Sequence, residues 1–251
     1  MRKIVHAVLT LLMIATGMSG MSGNTAVAAA ADHTVTFVNR SGQTIWIGSA
    51  VNADGSRNLT GLPQLHDTQQ ATVTIPESGD PAYWRGKFFA RHNCTGTPGS
   101  TFRCEIGDCG NLADRCVTGE QPASLAEFNF HRADPLAPWY NVSYVNAVSL
   151  SITIEPRDAQ VPPGGTECEA VGCSERLLEV CPPENLTRDG AGKPILCTNP
   201  NRDAKTPYSD AVSNRCPKAY AWSKHDTEPG NQVMRQCREC SGFTVTFHRG
   251  I

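Results

Sequence analysis

The sequence predicts an all-β fold, an antiparallel sandwich or barrel, followed by a loop-rich segment tied together by crosslinks. Three observations predict it. Short runs of alternating polar and apolar residues recur, with turn signals about every ten residues. No stretch before residue 165 shows a convincing 3.6-residue period. All eleven cysteines lie beyond residue 90 of a chain whose start reads as an export signal, so the thiols are expected to be crosslinked rather than metal-bound or reactive.

Arg2 and Lys3 form a positive start, and residues 4–18 are apolar apart from His6, Thr10 and Thr16. Ala26-Val27-Ala28 and the alanines after it offer cleavage sites, so a signal peptide is expected over 1–31, with the mature start between Ala29 and Asp32. The apolar run is short and interrupted for a membrane span, and no second one follows, so a secreted, extracellular, soluble product with no stable membrane span is expected. Processing removes two basic residues and no acid, which takes the net charge from -2 to about -4 (20 basic, 24 acidic). A mildly acidic chain lacks the basic footprint that phosphate binding needs, which excludes nucleic acid as a partner. Composition is lean, at 39% apolar and 7% aromatic. Disulfides at about 2–4 kcal/mol each are expected to supplement the core.

Residues 33–39 and 44–48 both alternate and are joined by Arg40-Ser41-Gly42, which reads as a hairpin. Residues 71–75 read as a strand stopped by Pro76, and 86–91, 125–130, 140–154 and 243–247 read as further strands. The first and last strands both carry Val-Thr-Phe, and both termini are placed in one sheet. From residue 164 to about 214 cysteine, proline and glycine dominate, with a short helix expected at 174–180 (Leu177 and Leu178 inward). The expected organisation is a β-sandwich domain of 32–165 and 241–251, a disulfide-rich subdomain of 166–215, and a small cysteine-bounded loop or hairpin of 216–240.

Only Cys237-Arg238-Glu239-Cys240 has zinc-like C-x2-C spacing, and export favours oxidation, so no metal is expected. The segments that surround the cysteines identify a family. They are Phe37-Val38-Asn39 with Thr44-Ile45-Trp46, Gly86-Lys87-Phe88-Phe89-Ala90-Arg91-His92-Asn93-Cys94 and Gly107-Asp108-Cys109-Gly110. Pro122-Ala123-Ser124-Leu125-Ala126-Glu127-Phe128, Trp139-Tyr140-Asn141-Val142-Ser143, Cys216-Pro217-Lys218-Ala219-Tyr220-Ala221-Trp222 and Thr244-Val245-Thr246-Phe247 follow in order. With these the chain resembles the thaumatin-like (osmotin, pathogenesis-related) family, whose fold is an antiparallel β-sandwich.

The resemblance implies the pairs Cys94–Cys104, Cys109–Cys116, Cys168–Cys237, Cys173–Cys216 and Cys181–Cys197, which spacing alone could not choose. Three departures stand out. A disulfide that ties the first strand to the last in the family falls here on Ser41 and His248, so both partners are absent together. Four further cysteines expected between Cys197 and Cys216 are missing, and Cys240 is left over.

The resemblance also implies a cleft lined by one basic and four acidic residues. Position by position these fall on Lys87, Glu127, Asn141, Asn146 and Asp226, so the two middle acids have become amides. Asn141 and Asn146 can line one cleft only if a bulge or bend separates them. Alternation sends Ala126, Phe128 and Phe130 to one face and Leu125, Glu127 and Asn129 to the other. His225 stands beside Asp226, where it could make binding pH-dependent. Of Trp139, Tyr140, Tyr220 and Trp222, one at most is expected to stack on a sugar ring.

The implied function is binding of β-glucan or a related cell-wall polysaccharide in that cleft, in a defence or wall-remodelling role, by a monomer with no cofactor. The alternative is an endo-β-1,3-glucanase with Glu127 and Asp226 as its catalytic carboxyl pair. A third reading is a non-catalytic inhibitor of a secreted hydrolase or a membrane-active antifungal protein.

Overall fold

Alternation along the strands decides which side chains meet in the middle of this molecule. The structure is a computed structural model that describes residues 31–53, 56–161, 163 and 165–251. The export signal expected at 1–31 lies outside the described residues, apart from Ala31. Residues 32–251 form one compact unit.

Two large sheets face each other. The first runs in the order β11 (Val171–Gly172), β10 (Ser151–Arg157), β15 (Gly242–His248), β1 (Thr34–Arg40), β4 (Gln70–Thr74). The second runs β14 (Met234–Gln236), β8 (Trp139–Ser143), β7 (Leu125–Asn129), β5 (Arg85–Thr95), β2 (Ile45–Val51), β3 (Gln64–Leu65), with β6 (Arg103–Ile106) also paired to β5. A small third sheet joins β12 (Leu186–Arg188), β13 (Pro194–Thr198) and β9 (Ala147–Val148). The fold is thus an all-β sandwich whose strand ladders, among the described residues, are antiparallel except where β1 lies parallel to β15. Both termini of the sandwich do share one sheet.

The core is aromatic. Phe128 from the second sheet meets Phe243 from the first with ring centroids 5.2 Å apart, and Phe37 of β1 meets Phe88 of β5 at 4.9 Å. Edge-on and offset pairs of this kind add stabilisation beyond the area they bury. β5 is buried on both sides: Phe88 and Ala90 enter the sandwich core, while Phe89 joins Ile106, Ala123, Leu125 and Ile195 on the outer face. Ile195 belongs to β13, so the cysteine-rich segment packs on the outer face of the second sheet.

The segment expected as a hairpin, 33–48, is instead an arch. β1 lies in the first sheet and β2 in the second. Asn39, fully buried, makes the crossing. Its Nδ2 donates to the carbonyls of Gln43 (2.7 Å) and Leu65 (2.9 Å), and its Oδ1 accepts from the Ser41 hydroxyl (2.7 Å) and amide (3.0 Å). Local alternation is the same for a hairpin and an arch; the bond to Leu65, far along the chain, selects the arch. Ser41 follows Arg40, which pairs with His248 across the parallel ladder, and His248 Nε2 lies 3.0 Å from the Thr153 hydroxyl.

Five disulfides are present: Cys94–Cys104, Cys109–Cys116, Cys168–Cys237, Cys173–Cys216 and Cys181–Cys197. Cys240 is free and half-buried; its thiol donates to the Cys237 carbonyl at 3.3 Å, and burial pushes its pKa up to about 11. A thiol held protonated in this way is a poor nucleophile.

Residues 177–180 form a 3-10 turn with Leu177 and Leu178 buried. The loop-rich reading of 164–214 misses a true helix, α1 (Pro207–Arg215). Thr206 caps it by accepting from the Ser209 amide (3.2 Å), the Ser209 hydroxyl oxygen accepts in return from the Thr206 amide (2.8 Å), and Pro207 occupies the first turn. Only Tyr208 and Val212 supply apolar anchors, too few for a helical period to show.

Arg91 fixes the loop that follows β6. It is fully buried and donates to the carbonyls of Leu112 (2.6 Å) and Gly110 (2.7 Å), with Asp108 3.5 Å away. The Gln121 amide returns to Asp108 at 2.9 Å, so Glu120 is carried on an anchored loop.

Candidate functional site

Strand register builds the site. Lys87 on β5 pairs with Glu127 on β7, Glu127 pairs with Asn141 on β8, and Asn141 pairs with Met234 on β14. These residues form one row across the outer face of the second sheet. Cross-strand neighbours on one face stand close enough for side chains to touch. Their chain neighbours Phe88, Ala126, Phe128, Tyr140 and Val142 all point into the core, so the row is aimed outward by the same alternation that fills the sandwich.

Two further segments wall the row. Tyr220 bridges to Ser143 at the end of β8, its amide donating to Val142 O at 2.9 Å, which lays residues 219–221 beside the row. The short 3-10 turn His225–Thr227 follows and carries Asp226, which is exposed and hydrogen-bonded to Tyr220. Burial, Asp226 and Glu127 together push the Tyr220 phenol upward, which places both acids around one hydroxyl. Arg202 lies near enough to act on Glu127, and its carbonyl accepts from the Ser223 amide at 2.8 Å.

Glu120 is the residue sequence reasoning missed. Its Oε1 sits 2.5 Å from Lys87 Nζ, with side chains 15% and 24% exposed, so the site's lysine is paired rather than free. Nothing in the sequence signals this contact: Glu120 lies in an irregular loop more than thirty positions from Lys87.

Glu127 is the electrostatic centre of the group. Burial raises its pKa above the ordinary glutamate value; Lys87, a hydrogen bond from Asn141 and Arg202 pull it down, and Glu120 adds to the rise. The Asn141 amide thus donates to Glu127, and its Oδ1 is buried with no partner among the described residues. An acceptor left unpaired there is suited to a hydroxyl donor.

Asn146 does not join this group through any contact among the described residues. It lies half-buried in the bend between β8 and β9, where its carbonyl accepts from the Asn199 amide at 2.9 Å. Tyr140 is fully buried and its hydroxyl donates to Glu169 O at 2.6 Å, so it is a core residue and not a sugar platform. Trp139 and Trp222 are half-buried, with indole N–H groups bonded to Asp134 (3.3 Å) and Glu228 (3.1 Å). His225 is buried, accepts from the Ala221 amide on Nδ1 at 3.3 Å, and has its pKa lowered mainly by that burial. Among the described residues no three His, Cys, Asp or Glu side chains are grouped to hold a metal ion, and no helix is long and apolar enough to cross a membrane.

A carboxyl whose pKa is higher folded than unfolded costs stability as pH rises through that interval. Glu127→Gln is therefore expected to be more stable than the parent at pH 7, with the gap closing as pH falls to about 3, where the carboxyl is protonated in both states. Urea titrations at the two pH values check this. A variant less stable at pH 7 than the parent contradicts the assignment of Glu127 as a half-buried carboxyl whose charge is disfavoured.

Comparison with known proteins gives a consistent result. The family model described as the thaumatin family matches residues 39–249. Thaumatin-like protein 1 of Castanea sativa is 30% identical over 240 residues, covering 85% of this chain and 89% of its own. Thaumatin-like protein 2 of Prunus persica is 29% identical over 237 residues, covering 85% and 89%. Among solved structures, a laminaripentaose-producing β-1,3-glucanase in complex with laminaritetraose matches with a TM-score of 0.56 at 9% identity, covering 89% of this chain and all of that one. At that identity the likeness is one of fold.

Proposed function

The chain belongs to the thaumatin family, and from that premise we propose that it binds β-glucan or a related cell-wall polysaccharide along the Lys87–Glu127–Asn141 row, in a defence or wall-remodelling role. The observation that carries the reading is the row itself: a cation, a carboxyl and an amide in one cross-strand register, with Asp226 and Tyr220 beside them. Sugar hydroxyls are both donors and acceptors. The unpaired Asn141 Oδ1 and the Tyr220 hydroxyl oxygen, whose hydrogen goes to Asp226, accept, while the Lys87 ammonium donates. Five disulfides support life in an oxidising compartment, and export as a monomer is part of the proposal.

Pulldown on insoluble β-1,3-glucan tests it. The parent is expected to be retained, and a double Glu127→Ala, Asp226→Ala variant to lose about tenfold or more in affinity, the scale of one charge-assisted hydrogen bond left unmade. Equal retention of the two proteins removes the support for this cleft.

One observation favours hydrolysis as a second reading. Burial raises the pKa of Glu127, as a proton donor in glycoside hydrolysis requires, while Asp226 stands exposed beside Tyr220. The amide at 141 stands where the resemblance implies a like charge that would have raised it further. Reducing-sugar release from laminarin, abolished by Glu127→Gln, supports this reading; binding without release supports binding alone.

A further inference from the structure

A second concave feature lies away from the cleft. A cavity of about 360 Å³ opens where the β1–β2 arch, the end of β5, the β12–β13 hairpin and residues 249–251 come together. His92 lies on its wall, five residues along β5 from Lys87, which is about 17 Å at the rise of a strand, and on the opposite face. The cavity is therefore separate from the proposed glucan row.

Its lining has three chemistries. Lys193 and Arg249 are exposed cations with no carboxylate partner among the described residues, and both line the space. Gln43, Asn93 and Asp189 supply amides and a carboxylate; Asp189 Oδ1 is held by the amides of Ala191 (2.9 Å) and Lys193 (2.8 Å). Leu150 and Leu178 supply apolar surface. His92 is 2% exposed, and its Nδ1 sits 3.4 Å from Gln43 Nε2. An amide nitrogen only donates, so Nδ1 accepts and the neutral ring carries its hydrogen on Nε2. That Nε2 has no partner among the described residues. A buried donor without an acceptor is uncommon in folded proteins, and His92 belongs to the wall of this cavity.

We propose that this cavity is a second binding site, for a small sugar acid of uronate size. Arg249 presents a planar fork that matches a carboxylate, with Lys193 as a second cation. The amides and Asp189 suit ring hydroxyls, and the leucines suit the apolar face of a pyranose. The volume sits at the low end for small-molecule sites, enough for one or two rings but not for a polymer. The carboxylate of Asp189 and the leucines make the site poor for a compact multiply charged anion such as phosphate.

Titration of D-glucuronate into the full chain, followed by proton–nitrogen NMR with glucose and inorganic phosphate as parallel arms, tests the proposal. Saturable shifts are expected at Gln43, His92 and Arg249, with Lys87, Glu127 and Asn141 unmoved. Glucose and phosphate are each expected to bind at least tenfold more weakly. Arg249→Gln and Lys193→Gln alter exposed side chains, keep the fold, and are each expected to weaken glucuronate fivefold or more. The proposal is overturned by no saturable shift, by phosphate or glucose matching glucuronate, by full affinity in both variants, or by shifts confined to the cleft row. The last outcome leaves the glucan reading intact, so the two proposals fail separately.

Discussion

Phe128→Ala is expected to cost about 3–5 kcal/mol, the range for truncating a buried phenylalanine. Phe128 is 1% exposed, and its ring lies within 5.2–6.5 Å of the rings of Phe88, Phe130, Tyr140 and Phe243. Phe243 comes from the opposite sheet, so the cavity left by truncation sits at the seam between the two layers. The loss combines the transfer energy of the ring with contacts the neighbours cannot remake. At about 2–4 °C per kcal/mol for a unit of this size, Tm should fall by roughly 6–20 °C. Phe128 also adjoins Glu127 on β7, so its packing fixes the strand that aims the central carboxyl. A loss under about 1 kcal/mol in urea denaturation would show that the sandwich does not close on this aromatic group.

Acidification from pH 6.5 to 4 is expected to remove about 3 kcal/mol of stability through His92 alone, at 1.36 kcal/mol per unit of pKa difference. Burial, with Lys193 as a secondary cause, lowers the His92 pKa to about 4. The unfolded ring titrates near 6.5. Between those values the unfolded chain binds more protons than the folded one, so stability is full above the unfolded value and falls as pH drops toward the folded value. His92→Gln keeps a polar side chain without the titration and is expected to flatten that part of the pH–stability curve. A parent curve that is level from pH 6.5 to 4, or a variant that keeps the full slope, contradicts the burial of a neutral imidazole. The acid limb below pH 4 belongs to the carboxylates, among them Asp134, whose pKa is lowered first by the Leu136 amide and then by Trp139 and Arg85.

Where local pattern decides structure, the sequence was readable. Phe243, Val245 and Phe247 alternate with Thr244 and Thr246 and form β15 with the aromatic and valine side chains inward. The same rule put Glu127 on the face opposite Ala126 and Phe128, and the ladder has it there. Where distant contacts decide, pattern was silent. Residues 33–48 carry two good strands, but the bond from Asn39 to Leu65 sends them to different sheets. The helix at Thr206 was announced only by its cap, because its exposed face is polar. The cleft residues carry no local signature at all; strand alternation alone would leave Glu127 a solvated acid. They came from the resemblance, which in turn had no means of showing Glu120 over Lys87, since that pair depends on the loop Arg91 holds.

The central claim is that register, packing and anchored loops make one ligand-binding row of Lys87, Glu127 and Asn141. Selective labelling of glutamate with carbon-13 and asparagine with nitrogen-15, with a laminari-oligosaccharide titrated in, reads that row at Glu127 and Asn141. The account predicts a saturable shift of the Glu127 carboxyl signal, accompanied by the Asn141 side-chain amide. Saturable binding that leaves both signals in place would contradict it.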